Sequence, residues 1–199
     1  MLLVGPTGAG KTPLGRRLQE TGFGGRPCSH FDFGARLREI SLVPQAESLF
    51  TPVERGVIRT CLETGALLED GDFPIAQKIL ENFVRARDPG PGGLIVLNGL
   101  PRHRAQAERL EGVVSMERIA FLDGTADVIR ERLRLDTGGD RAGRMDDALD
   151  AVERRMAIFR DRTLPLLRFY EDLGVPVRRI SVTAPMTAAE MAAVLQDLS

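Results

Sequence analysis

Short apolar runs alternate with amphipathic stretches along the whole chain. Residues 1–4, 27–31, 94–97, 118–122 and 177–182 are apolar-rich segments bounded by Gly, Pro or Asp, and they predict strands. Residues 94–97 are continuously apolar, as suits a strand buried on both faces. Helices are predicted over residues 14–20, 34–40, 54–63, 75–84 and 103–110, and from a Thr125 cap to about Leu135. Phe33, Leu37 and Ile40 share one face of the second of these. Asp72 is the expected N-cap of the helix over 75–84, with Pro74 in its first turn. A further helix from Asp146 carries Leu149, Val152, Met156 and Phe159 as a core seam, and Thr187 with Glu190 opens the last as a capping box. Phe23-Gly24-Gly25 is a turn, residues 88–93 form a hard break and residues 137–140 a loop tip. Strands alternating with helices predict an α/β fold, a five-stranded parallel sheet with helices on both faces. Ligands on such sheets sit beyond the carboxyl ends of the strands, so Asp32, Asn98 and the loop after the first strand should converge.

That loop, Gly5-Pro6-Thr7-Gly8-Ala9-Gly10-Lys11-Thr12, fits the phosphate-binding pattern G-x-x-x-x-G-K-[ST] without a gap. Glycines let successive N–H groups turn inward around an anion, and the following helix aims its positive end at the same point. Lys11 then reaches the β- and γ-phosphates, and the Thr12 hydroxyl ligates the Mg²⁺ bridging them. Pro13 falls in the first turn, where its missing N–H is not needed. Strand, loop and helix are the context this motif requires, so Gly5, Thr7, Gly8, Ala9, Gly10, Lys11 and Thr12 are candidate ATP-binding residues.

Composition bounds the rest. At 199 residues and 43% hydrophobic content the chain buries one good core, and a net charge of −1 exerts no global pull toward nucleic acid or membrane. Lys11 and Lys78 are the only lysines, so the loop lysine does not belong to a lysine-rich surface. Cys28 and Cys61 are too few for a disulfide scaffold and lack metal-ligand spacing, and His30 and His103 are isolated. A reducing, cytoplasmic setting is expected, with no signal peptide and no membrane span.

Two further segments sharpen the picture. Asn98-Gly99-Leu100-Pro101-Arg102 is followed by Gln106, and Gly143-Arg144-Met145-Asp146-Asp147 by Arg155. With the phosphate loop and in this order, they resemble the signatures of adenylate kinases and related nucleoside monophosphate kinases, D-G-[FY]-P-R then Gln and G-R-x-D-D then Arg. The likeness spans nearly the whole chain. It implies one kinase domain over residues 1–199, with a helical acceptor-binding insertion at 33–86 and a short lid at 133–143. It implies that Arg38 and Arg102 hold the acceptor's phosphate, that Gly99 and Gln106 contact its base, and that Arg132, Arg144 and Arg155 close over the transferred group. Lys11, Arg102, Arg132, Arg144 and Arg155 are the candidate catalytic residues. Arginine suits the task, because its fork meets phosphate oxygens bidentately and stays protonated. Read singly, Arg132 and Arg155 are equally explained as solvated helix-face residues beside Glu131 and Glu153. The resemblance implies ATP and Mg²⁺, nucleotide substrates and a monomer, with AMP the first acceptor to try.

Three departures stand out. The family's Asp beside the metal's water shell is Asn98 here, Phe33 replaces a threonine near the acceptor base, and Asp32 ends the second strand where the family's usual Asp position is Ala35. Thr12, Asp32 and Asn98 are the candidate metal-side residues, the last two through water. Asp32 has other readings, as a helix cap or as the base for a hydroxyl-bearing acceptor. A kinase of such a small acceptor, or a slow nucleotide-binding module, are the alternatives that follow.

Overall fold

The structure, a computed structural model, describes residues 1–66, 68–90, 92–139 and 149–197. Among them β1 (Leu2–Val4), β2 (Cys28–Asp32), β3 (Leu94–Asn98), β4 (Ile119–Asp123) and β5 (Val177–Ser181) form one sheet. Its order is β2-β3-β1-β4-β5 and every pairing is parallel, as the strand-helix alternation predicts. The helices are α1 (Lys11–Thr21), α2 (Phe33–Leu42), α3 (Pro52–Thr64), α4 (Phe73–Arg87), α5 (Arg104–Leu110), α6 (Ala126–Leu135), α7 (Leu149–Ile158), α8 (Leu166–Asp172) and α9 (Ala188–Gln196).

Strand periodicity splits the core in two. Leu2, Val4, Phe31, Leu97 and Phe121 face one side, packed with Leu37, Ile58, Ile79, Leu110 and Tyr170 from α2, α3, α4, α5 and α8. Leu3, Val96, Ala120, Leu122 and Ile180 face the other, against Leu14 and Leu18 of α1, Ile129 of α6 and Met191 of α9. Each fully buried Leu or Phe among these contributes about 1.5–3 kcal/mol of apolar transfer. Helices α2, α3 and α4 all lie between β2 and β3 in the chain.

Side-chain caps open several of the helices. Thr51 and Glu54 form a capping box on α3, Thr187 and Glu190 one on α9, and Thr125 accepts from the Val128 N–H. Asp72 does stand at the N-cap of α4, but its side chain makes no cap hydrogen bond. The chain enters α4 from a 3₁₀ turn at Asp70–Asp72, so Asp72 already has helical φ and ψ. The seam expected after Asp146 is not one helix: α7 passes into a π-turn at Phe159–Thr163 and then into α8. The start of that helix and lid residues 140–143 lie outside the described residues. No helix among the described residues is long and apolar enough to cross a membrane.

One core contact is close enough to test. The His30 ring packs on α1 at Gly15, where an added Cβ would lie 2.3 Å from the imidazole. Helix propensity favours Ala over Gly by about 1 kcal/mol, whereas overpacking costs about 1–3 kcal/mol. The expected outcome for Gly15→Ala is a net loss of stability in equilibrium urea unfolding, partly recovered in Gly15→Ala/His30→Ala; a stabilised single variant would contradict this packing.

Candidate active site

The loop between β1 and α1 is shaped by what surrounds it. Gly8 and Gly10 hold φ of 86° and 100°, a region side chains avoid, and Gly10 serves as the α1 N-cap. Space forbids side chains as well. A Cβ on Gly5 would lie 2.8 Å from the Leu122 carbonyl, one on Gly8 2.9 Å from Leu133, and one on Gly10 2.8 Å from Met191. The loop is thus seated on β4, α6 and α9. Lys11 Nζ donates to the carbonyls of Gly5 and Pro6, both at 2.7 Å, which keeps the ammonium over the loop. Gly5, Thr7, Gly8, Gly10, Lys11 and Thr12 line the main cleft, whereas Ala9 turns its methyl into the core.

At the next two strand ends Asp32 and Asn98 stand opposite each other, in register across β2 and β3. The Thr12 hydroxyl donates to Asp32 Oδ2 at 2.6 Å, and Asn98 Nδ2 donates to Asp32 Oδ2 and to Thr12 Oγ1 at 3.0 Å each. Asp32 Oδ1 accepts from the Ala35 N–H at 2.9 Å, so Asp32 caps α2 while facing the loop. Burial alone would raise the Asp32 pKa. The Thr12 and Ala35 hydrogen bonds, with the positive fields of His30 and Arg38, outweigh it and hold the carboxyl below its ordinary value. The donor set is a hydroxyl and one carboxylate, hard oxygen ligands suited to Mg²⁺. Among the described residues no group of three or more His, Cys, Asp and Glu could hold a metal ion.

Arg38, Arg102 and Arg155 line the same cleft as the loop. Burial, and secondly the charge of Arg155, pull the Arg102 pKa down to about 10, so it remains protonated at neutral pH. The Arg155 guanidinium lies against Gly65, 3.2 Å from where a Cβ would stand. Gln106 is buried and holds two distant segments: its Oε1 accepts from the Arg102 N–H at 2.8 Å and its Nε2 donates to the Leu68 carbonyl at 2.9 Å. Gly99, at φ 85°, sits beside Phe33, and both line the cleft with Gln106.

Arg132 lies elsewhere. It is 3% exposed and reaches under the loop, with Nε donating to Gly8 O at 3.2 Å. Its Nη1 donates to the carbonyls of Thr183 at 2.7 Å, Ala184 at 3.2 Å and Met186 at 2.7 Å, in the turn after β5. The inward face of α6 turns its Nε and Nη1 to these carbonyls, while its Nη2 lies 3.0 Å from where a Cβ on Gly10 would stand. Arg144 lies outside the described residues. Sequence reasoning missed Leu37, Cys61, Leu62 and Leu68 as an apolar wall, and Phe159 and Thr163 beside it. Thr163 Oγ1 donates to the Arg102 carbonyl at 2.8 Å across a separation of 61 residues. The helical spacing of Phe159 was visible, but the π-turn that delivers it to the cleft was not.

The cleft therefore pairs an amide-lined anion cradle with a cluster of guanidinium groups, an arrangement able to hold two phosphorylated molecules face to face. No protein-family model matches the chain. It is similar to the UMP-CMP kinase of Lentinula edodes, 30% identical over 186 residues, covering 87% of this chain and 74% of that protein. The adenylate kinase of Rhodococcus erythropolis (strain PR4 / NBRC 100887) is 30% identical over 201 aligned positions and 97% of each chain. That of Synechococcus sp. (strain WH7803) is 32% identical over 180 residues, 88% of this chain and 86% of its own. With the loop, the Asn98–Arg102 segment and the arginine cluster meeting in one cleft, the protein belongs to the adenylate kinase and nucleoside monophosphate kinase family.

Proposed function

We propose that the protein transfers the γ-phosphoryl group of MgATP to a nucleoside monophosphate, with AMP the first acceptor to try, giving ADP and a nucleoside diphosphate. The observation that carries this reading is that Lys11 and Thr12 line one cleft with Arg38, Arg102 and Arg155. The acceptor's phosphate oxygen is already anionic, so no general base is needed, and the work is positioning and charge stabilisation.

The phosphate loop and Lys11 take the β- and γ-phosphates of the donor. Arg102 and Arg38 hold the acceptor phosphate, and Arg155 stands where charge develops between the two. A phosphate entering between Arg102 and Arg155 would relieve the like-charge contact that lowers the Arg102 pKa. Gln106 keeps one amide hydrogen and one carbonyl lone pair after its two backbone bonds, enough to meet a base edge beside Gly99 and Phe33. Mg²⁺, held by the Thr12 hydroxyl with Asp32 and Asn98 close by, would supply neutralising charge on the phosphates. Residues 33–86 act as the acceptor-binding insertion and residues 133–143 as the short lid. The protein acts on nucleotides as a cytoplasmic monomer, and its two unpaired thiols are consistent with that compartment.

Asp32 as a general base for a hydroxyl acceptor draws less support. Its oxygens accept from Thr12, Asn98 and Ala35, and a carboxylate held below its usual pKa is a poor base. Arg132 is read as a positioning residue. Its Nε and Nη1 donate to backbone carbonyls, which favours an action on the reaction through the loop at Gly8.

A coupled assay of ADP formation across AMP, CMP, UMP and GMP should show turnover, fastest with AMP; ATP left unconsumed with all four would overturn the reading. Arg102→Ala should lower kcat/KM for the acceptor by about 100-fold or more, with the KM for ATP changed by less than about threefold. Arg132→Met should instead raise the KM for ATP by about tenfold and lower stability by about 2–4 kcal/mol, since carbonyls that accept from a charged group lose their donor. Steady-state kinetics and urea unfolding separate the two effects.

A further inference from the structure

Among this family's signatures the carboxylate near the metal opens the motif at the end of the third strand, where this chain has Asn98. The simple expectation is a weakened site that Asp at position 98 would repair. The hydrogen bonds point the other way. Asn98 is 5% exposed, and its Nδ2 meets two oxygens at 3.0 Å, Asp32 Oδ2 and Thr12 Oγ1, while those two oxygens are themselves 2.6 Å apart. This closes a triangle. The Thr12 hydrogen goes to Asp32, the Asn98 amide supplies the remaining donor, and one Thr12 lone pair is left for a ligand. An amide oxygen turned toward this pair would face a carboxylate with no hydrogen between them, so the nitrogen must be the atom that points in.

We propose that Asn98 is a positioning residue that acts through Asp32 and Thr12, and that this chain has transposed its one metal-side carboxylate from the end of β3 to the end of β2. Parallel register makes the exchange possible, because Asp32 and Asn98 are direct neighbours across the two strands. Asp32 takes over the negative charge, and an amide at 98 is then required. A carboxylate there would remove a donor and bring a second negative charge about 3 Å from the first, a spacing at which two ionised carboxylates repel strongly. Restoring the family residue should therefore damage the site, and exchanging both residues should restore it. This inference rests on reading the cleft as a MgATP site and deepens it.

The test is calorimetry of an ATP analogue with a non-hydrolysable β–γ bridge, with and without Mg²⁺, alongside thermal melts of each variant. The readout is the gain in affinity that Mg²⁺ confers. Asn98→Asp and Asp32→Asn should each reduce that gain by about tenfold or more, and Asp32→Asn/Asn98→Asp should return it to within about threefold of the parent. Asn98→Ala removes the donor without adding charge and should lose less than Asn98→Asp. The inference is overturned if Asn98→Asp matches or exceeds the parent, or if the exchanged variant melts cooperatively yet stays as weak as the single variants. Equal loss in Asn98→Ala and Asn98→Asp, or a parent that gains nothing from Mg²⁺, also overturns it. A parent that gains affinity with Mg²⁺ but phosphorylates no nucleoside monophosphate would sink the kinase reading and leave this inference standing.

Discussion

The parallel pairing of β2, β3 and β1 is the constraint on which the site depends. Asp32 opposes Asn98, and Asn98 opposes Leu3, one residue short of the strand end that feeds the phosphate loop. Three chain segments far apart in sequence thus finish at one level. Thr12, one residue into α1, closes the gap with a 2.6 Å hydrogen bond to Asp32. Antiparallel neighbours would have sent one of these ends to the opposite edge of the sheet. The crossover helices needed for parallel pairing also bring α2, α3 and α4 to the cleft's far side, where Arg38 and the apolar wall reside.

Charge is concentrated in the cleft. Arg102 is partly buried, and that burial first, then the charge of Arg155, lowers its pKa to about 10. The backbone around it is fastened by Gln106 and Thr163, so the side chain has little room to retreat. Lys11 meanwhile is occupied by the loop's own carbonyls, contacts that an incoming phosphate can replace. Such preorganisation reduces the ordering that binding must impose. Arg132 is placed differently: its Nε and Nη1 donate to carbonyls of the loop and of the turn after β5, which ties both segments to α6.

Much of this was legible in the sequence for local reasons. The glycine spacing of residues 5–10, the apolar strands, the cap at Thr125 and the capping box at Thr187 depend on neighbours within a few positions, and each is where it was expected. The convergence of Asp32, Asn98 and the loop also followed, because a parallel sheet places strand ends together. Where local signals were weak or competing, the reading slipped. Asp72 has the right residue type for a cap, yet the preceding 3₁₀ turn removes the extended geometry that capping requires.

What the sequence by itself determined is the fold class, the phosphate loop and the residue types available to hold two anions, because those rest on periodicity and backbone freedom. Which arginine lines the cleft and which lies against the loop was decided only by tertiary structure. Arg132 and Arg155 both sit on helices with acidic neighbours and look alike in sequence. Their surroundings separate because carbonyls that accept from Arg132 come from positions 51 and 124 residues away. The same holds for Asn98. Its value as a donor exists only where β2 lays Asp32 beside it, 66 residues earlier in the chain.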